Sequence, residues 1–235
     1  MVVLVLPGDI VMPSNGMAEA SGPLRLGPGL AQEHANVVAT KAGIVGEASG
    51  NRLWLNASQK RYIPALGEPV LATVVSRYME NYRVDIGSPH PASLPVLAFE
   101  GATKRNKPNL DVGVLVYARV SLANKDMEPE IECTNPSTGK ADGYGELKGG
   151  FMVKCSLGMC RSLMVKNNPI LAGISSLFPF ETAVGMNGRV WINAETPRQI
   201  IMIANLIRAA DGAAPSKIPV MLKVFRKQME ATDVE

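Results

Sequence analysis

Apolar and polar residues alternate most regularly between Tyr62 and Thr134, where Arg83, Val84, Asp85 and Ile86 point to opposite sides in turn. Five such segments follow one another, at Val70–Tyr78, Tyr82–Gly87, Ala92–Phe99, Val112–Ala123 and Glu130–Thr134, with turn-forming residues between them. A long connection, residues 99 to 111, separates the third from the fourth. Five short strands with that spacing follow the plan of a small closed barrel of the OB type. The long connection, GATKRNKPN, carries its positive charge.

On either side the pattern changes. VVLVL at the N-terminus reads as a strand, Pro7-Gly8-Asp9 turns the chain into IVM, and a loop rich in Gly, Pro and Ser runs from Pro13 to Gly29. Further strands are expected at Asn36–Ala42 and Arg52–Asn56. After the barrel a Gly-rich linker spans Gly139–Gly150, and the spacing then mixes helix with strand. A strand is expected at Phe151–Cys155, helices around Gly158–Val165 and Pro169–Leu177, and strands at Phe180–Val184 and Arg189–Asn193. Thr196 and Pro197 make an N-cap and first-turn pair for a helix whose Ile200, Ile203, Ala204 and Ile207 share a face, and Asp211-Gly212 ends it. A last helix, Val220–Met229, carries Lys223, Arg226 and Lys227. The expected fold is mainly β plus α+β: an N-terminal β domain at 1–60, a five-stranded OB barrel at 61–148 and an α/β domain at 149–235.

Composition narrows the chemistry. Of the 235 residues, 46% are hydrophobic and 19% charged, which suits a folded chain, while aromatics at 5% leave the cores to Val, Ile, Leu, Ala and Met. No apolar run approaches the ~20 residues of a membrane span, so a soluble intracellular protein with no membrane partner is expected. Cys133, Cys155 and Cys160 fit no zinc or redox spacing and read as buried or half-buried thiols. Only His34 and His90 are available, which leaves little room for histidine metal sites or triads. No catalytic residue, metal or cofactor is expected. The net charge of +3 is too small for avid, autonomous binding to nucleic acid, so an RNA site here is local or completed by partners.

Three stretches could carry a site. Lys104, Arg105 and Lys107 place three cations within four residues, where they can meet phosphates, and Asn106 can bond sugar or base edges. Asp126, Glu128, Glu130 and Glu132 alternate along one strand face, whereas a two-metal nuclease site needs carboxylates converging from several elements, so a solvated face is expected. Gly185-Met186-Asn187-Gly188 has the Gly-x-x-Gly spacing of a KH loop that clamps a nucleic-acid backbone. Its variable positions are uncharged, and only Arg189 stands nearby to meet phosphate. Asn-Gly between strand-like runs is also a turn signal, in which Asn and Gly tolerate positive φ and the Asn side chain bonds local backbone; Gly185, Asn187 and Gly188 are therefore read as a structural turn.

PASLPVLAFEGATKRNKPN, NKDMEPEIEC and GMNGRVW resemble the corresponding stretches of an exosome cap-subunit family, ribosomal RNA-processing protein 40, in matching order from about Pro7 to Ile207. The resemblance implies an N-terminal β domain, an S1-like OB domain and a KH-like domain. It implies a non-catalytic subunit that sits with other caps on a ring of RNase PH-like subunits. There it would stabilise the ring and guide RNA through the central channel to an associated exoribonuclease, for 3'-5' processing and degradation in nucleus, nucleolus and cytoplasm. Lys104, Arg105 and Lys107 would line the RNA path, and Tyr82 matches a position at which RNA-binding S1 domains usually present an exposed aromatic. Two departures from that pattern are visible: Ser93-Leu94-Pro95-Val96 lacks a histidine often found there, and Asn187 stands where active KH loops usually carry a cation. The competing readings are a free-standing RNA-binding regulatory protein, and a nuclease using the acidic strand.

Overall fold

A strand whose side chains alternate between oil and water curls onto its apolar face, and several such strands close that face into a core. The computed structural model describes residues 3–12, 24–48, 51–124 and 126–230 of the chain. Its contacts divide into one unit up to Gln59 and a second from Lys60 onward.

The first unit is two small sheets. One joins β1 (Leu4–Val5), β6 (Gly43–Ala48), β7 (Arg52–Asn56) and β3 (Arg25–Leu26); the other joins β2 (Ile10–Met12), β5 (Asn36–Ala39) and β4 (Leu30–Glu33). Val5, Ala39 and Leu55 form its core. The strands β3, β4 and β6 go beyond the sequence reading, and residues 13–23 of the expected Gly/Pro/Ser loop lie outside the described residues. Gly46 allows the β6–β7 pair, since a Cβ there would stand 2.5 Å from the Trp54 ring.

The second unit begins with the barrel. Strands β8 (Pro69–Arg77), β9 (Asn81–Asp85), β10 (Ala92–Pro95), β12 (Glu130–Glu132) and β11 (Leu115–Leu122) are bonded in that order, and β11 returns to β8. All neighbours are antiparallel except β10 and β12, which run parallel through Ser93 and Glu130. Alternate residues of each strand, among them Val70, Ala72, Val84, Leu94, Val116, Ala118, Val120 and Ile131, lose all or nearly all solvent contact. Each large side chain so buried contributes about 1.5–3 kcal/mol. The expected linker Gly139–Gly150 is in part structured: Gly145–Leu147 forms β13, which pairs with β11 at Leu115 and Leu147. Three residues of a glycine-rich run give too little alternation to be seen as a strand.

The C-terminal part of this unit is a three-stranded sheet, β14 (Phe151–Lys154), β16 (Arg189–Ala194) and β15 (Phe180–Gly185), in the order β14-β16-β15. Four helices accompany it: α1 (Leu157–Leu163), α2 (Pro169–Ser175), α3 (Pro197–Ala210) and α4 (Ile218–Glu230). Their starts are written locally. Ser156 accepts from the Met159 amide and Asn168 from those of Ile170 and Leu171, while Thr196 and Gln199 form a reciprocal capping box. Ile203, Ala204 and Ile207 of α3 face Val153, Val190 and Ile192 of the sheet in one core.

The cysteines are buried or half-buried, as the sequence reading has them. Cys133 is buried in the barrel, and loss of solvent together with the nearby Glu132 charge pushes its thiol up to about 12. Cys155 and Cys160, five residues apart, bring their sulfurs to 3.4 Å. The end of β14 and the first turn of α1 fold them together, a contact that spacing alone does not announce. The hydrogen bond between them, with burial, pushes the Cys155 thiol up.

Candidate nucleic-acid interface

The basic connection between β10 and β11 is a short turn on fixed feet. The Thr103 amide donates to the Asn106 carbonyl and the Asn106 amide to Thr103 Oγ1, both at 3.0 Å, closing the turn around Lys104 and Arg105. One foot is held by the Cys133 amide on the Ala98 carbonyl at 2.8 Å and the Ala141 amide on Glu100 Oε2 at 2.7 Å. The other is held by Tyr82, whose hydroxyl donates to the Pro108 carbonyl and accepts from the Leu110 amide. Lys104, Arg105, Asn106 and Lys107 are all exposed, and the three cations join none of the ion pairs among the described residues. Their charge is therefore not spent internally.

Tyr82 corrects the expectation of an exposed stacking aromatic. It is 1% exposed, its ring is part of the barrel core, and its contribution is to hold the basic turn from inside. Strand alternation explains this: Tyr82 shares the inward side with Val84, while Asn81 and Arg83 face out. The outer surface of β9 and β10, where OB folds usually take their ligands, instead presents Tyr78, Asn81, Arg83 and Ser93 around a shallow groove with Glu128 at its edge. Tyr78 is 55% exposed. Arg83 is partly neutralised by Glu128 at 3.4 Å, and Asn81 Nδ2 donates to Ser93 Oγ at 3.2 Å. Tyr78 was legible as the last aromatic before a turn. The acidic row offers no metal cage: Glu128 pairs with Arg83 and Glu132 with Arg119, and the described residues hold no cluster of metal-binding side chains.

The Gly-x-x-Gly motif lies elsewhere. Residues 186–188 join β15 to β16, with Gly185 opposite Arg189, and insert against the barrel. Asn187, 7% exposed, accepts from the Leu71 amide at 3.2 Å and donates to the carbonyls of Leu71 and Ile86, each at 2.8 Å. The Met186 amide donates to the Pro69 carbonyl at 2.8 Å. Two sequence expectations change. Positive φ is confined to Gly188 at +76°, and the Asn187 side chain bonds backbone more than a hundred positions away, not its own turn. Gly185 is required by proximity, because a Cβ there would sit 2.3 Å from Asn187 Oδ1 and 2.7 Å from the Leu71 nitrogen.

Arg189 is likewise withdrawn from solvent. Its guanidinium donates to the Asp85 carbonyl at 2.8 Å and to the Asp85 carboxylate at 2.6 Å. Burial pushes the Asp85 carboxyl up, but the Arg189 hydrogen bond, the Gly87 amide and the charges of Arg189 and Lys154 outweigh it and hold the group below its ordinary range. Leu71, Ala183 and Trp191 seal the same seam with apolar contact. The motif's spacing is that of a nucleic-acid clamp, and its Asn187 side chain and Met186 amide are bonded to the barrel.

Family models match along the described barrel and its neighbours: the S1 domain of exosome complex component RRP40 over residues 62–145, a KH domain over 150–198, and the exosome complex exonuclease Rrp40 N-terminal domain over 24–61. Exosome complex component rrp40 of Schizosaccharomyces pombe is 47% identical over 207 residues, covering 86% of this chain and 85% of that protein. The chain belongs to the RRP40 family of exosome components. The human RRP40 component is 38% identical over 233 residues, with 88% and 84% covered. Exosome complex component Rrp4 of the archaeon Thermococcus kodakarensis is 31% identical over 198 residues, with 82% and 74% covered. A solved structure described as an exosome complex RNA-binding protein shares the fold, with a TM-score of 0.62 at 20% identity over 74% of this chain and 99% of its own. The S1 and KH assignments agree with the closed barrel and the α/β domain in their order along the chain.

Proposed function

We propose that this RRP40-family chain is a non-catalytic, RNA-binding cap subunit of an exosome. In this reading it stabilises the ring of RNase PH-like subunits beside the other caps and guides RNA into the central channel toward an associated exoribonuclease. It works in nucleus, nucleolus and cytoplasm. The observation that supports it is the basic turn, three exposed cations without counterions among the described residues, on a backbone tied at both feet. Such a turn meets a phosphate chain as a fixed point on its path and contributes register without sequence preference. With the Gly-x-x-Gly loop occupied by the barrel, RNA contact falls to the S1 domain. The names carried by the relatives support membership of the complex.

The test uses an exosome reconstituted with wild-type chain or with Lys104→Ala, Arg105→Ala and Lys107→Ala combined, followed by RNA protection across a salt series. Each lost phosphate contact should lower the magnitude of the log-log salt slope by about 0.7. Equal protection by the triple variant at every salt concentration would reduce the turn to a solvated surface. The non-catalytic part predicts no shortening of RNA by the purified chain with Mg²⁺, Mn²⁺ or phosphate. Shortening that disappears in Asp126→Asn, Glu128→Gln would overturn it.

A further inference from the structure

We infer that Cys155 and Cys160 form a dithiol site of oxidative modification, closing to a disulfide beneath the segment that joins the KH domain to the barrel. The sulfurs stand 3.4 Å apart in the folded chain. Backbone on both sides fixes them: the Cys155 amide donates to the Gly188 carbonyl at 2.9 Å, and the Cys160 amide to the Ser156 carbonyl at 3.2 Å in the first turn of α1. The Cys160 sulfur also lies 3.9 Å from the Arg189 carbonyl. Ser156, between them, is clamped by Asp211 through its amide at 2.7 Å and its hydroxyl. The pair is therefore held at near-contact distance by an element start, a strand end and the C-cap of α3.

The two sulfurs differ in access. Cys155 is half-buried and Cys160 fully buried. A hydroperoxide is small enough to react at the first, and the second is placed to resolve the product. The hydrogen bond from Cys155 holds the Cys160 thiol below its ordinary range, so Cys160 takes the Cys155 proton as the Cys155 sulfur attacks the peroxide: an S–O bond forms, the O–O bond breaks, and the departing oxygen takes a proton from solvent and leaves as water or an alcohol. Cys160 sulfur then attacks the sulfenic sulfur, forming the S–S bond and breaking S–O, and the oxygen leaves with the thiol protons as water. Two electrons pass from the two thiols to the peroxide. Cys133, buried in the barrel away from the pair, is the internal control.

Full-length protein is treated with hydrogen peroxide, blocked with iodoacetamide and digested with trypsin, which cuts after Lys154 and Arg161 and releases both cysteines in one peptide. That peptide should appear unalkylated and lighter by two hydrogens, revert with dithiothreitol, and leave Cys133 alkylatable. Cys160→Ser should stop the reaction at a sulfenic acid on Cys155, trapped by dimedone. Folded protein should close about tenfold faster than the same chain in urea, because the geometry is prepaid. Closure in urea as fast as in the fold, or three alkylatable thiols after treatment of native protein, would overturn the assignment.

Discussion

Replacing Asn187 by Ala separates a turn that holds two domains from a turn that holds RNA. Ala removes one acceptor and two donors from a site 7% exposed. The Leu71 carbonyl keeps Arg189 Nη1 at 3.3 Å, whereas the Leu71 amide and the Ile86 carbonyl lose the partner that Asn187 supplied. Leaving a buried polar group unpaired costs about 1–3 kcal/mol, so two set a range of about 2–6. Water entering the vacated space brings the expectation to about 2–4 kcal/mol. Trp191 lies in the same seam as Leu71 and reports on it by fluorescence, and the other tryptophan, Trp54, is first changed to Phe. In urea melts the midpoint should fall while the slope stays fixed. Asn187→Asp should do at least as much harm at neutral pH, since it sets a carboxylate oxygen against two carbonyls. A midpoint within about 0.5 kcal/mol of the parent, together with lost RNA affinity, would refute the reasoning and make the loop a nucleic-acid clamp.

Gly188→Val forces a β-branched residue to φ +76° with its Cβ 2.8 Å from the Cys155 carbonyl oxygen; a loss of about 1–3 kcal/mol in the same melts is expected. Tyr82→Phe keeps the barrel ring but frees the Pro108 carbonyl and the Leu110 amide, so hydrogen exchange should rise across residues 103–110 with the rest of the barrel unchanged. Asp85, whose folded carboxyl is held below its unfolded value of about 4, stabilises the protein above that pH and loses the contribution as pH falls through the folded value. Asp85→Asn should therefore flatten the acid limb of stability against pH. An unchanged acid limb would mean that the Arg189 pair contributes nothing.

The barrel was legible because its code is local: alternation in Arg83 to Ile86 and turn residues between strands survive any tertiary context. The same alternation, applied one residue earlier, places Tyr82 inward, and the family analogy led the other way. Helix starts at Ser156, Asn168 and Thr196 are equally local, being caps. What the sequence hid is pairing at a distance. Nothing near Asn187 names Leu71 and Ile86, because a side chain that bonds backbone leaves no complementary residue type to find, and Arg189 and Asp85, though complementary, stand 104 positions apart. The Cys155–Cys160 contact escaped for a related reason, since its spacing gains meaning only where a strand end meets a helix start.

The amide of Asn187 offers Leu71 one acceptor and one donor, the pair that a peptide group in a neighbouring strand would offer. In mechanical terms it is a single borrowed rung on the β8 ladder, braced by Arg189. A joint made of such bonds does not swivel as one made of surface side chains does, and the Leu71 side chain packs it with Ala183 and Trp191. Torque applied to the helices is delivered to the barrel instead of being absorbed at a hinge. Whatever seats α3 and α4 thereby aims the basic turn, much as the grip of a tool aims its tip.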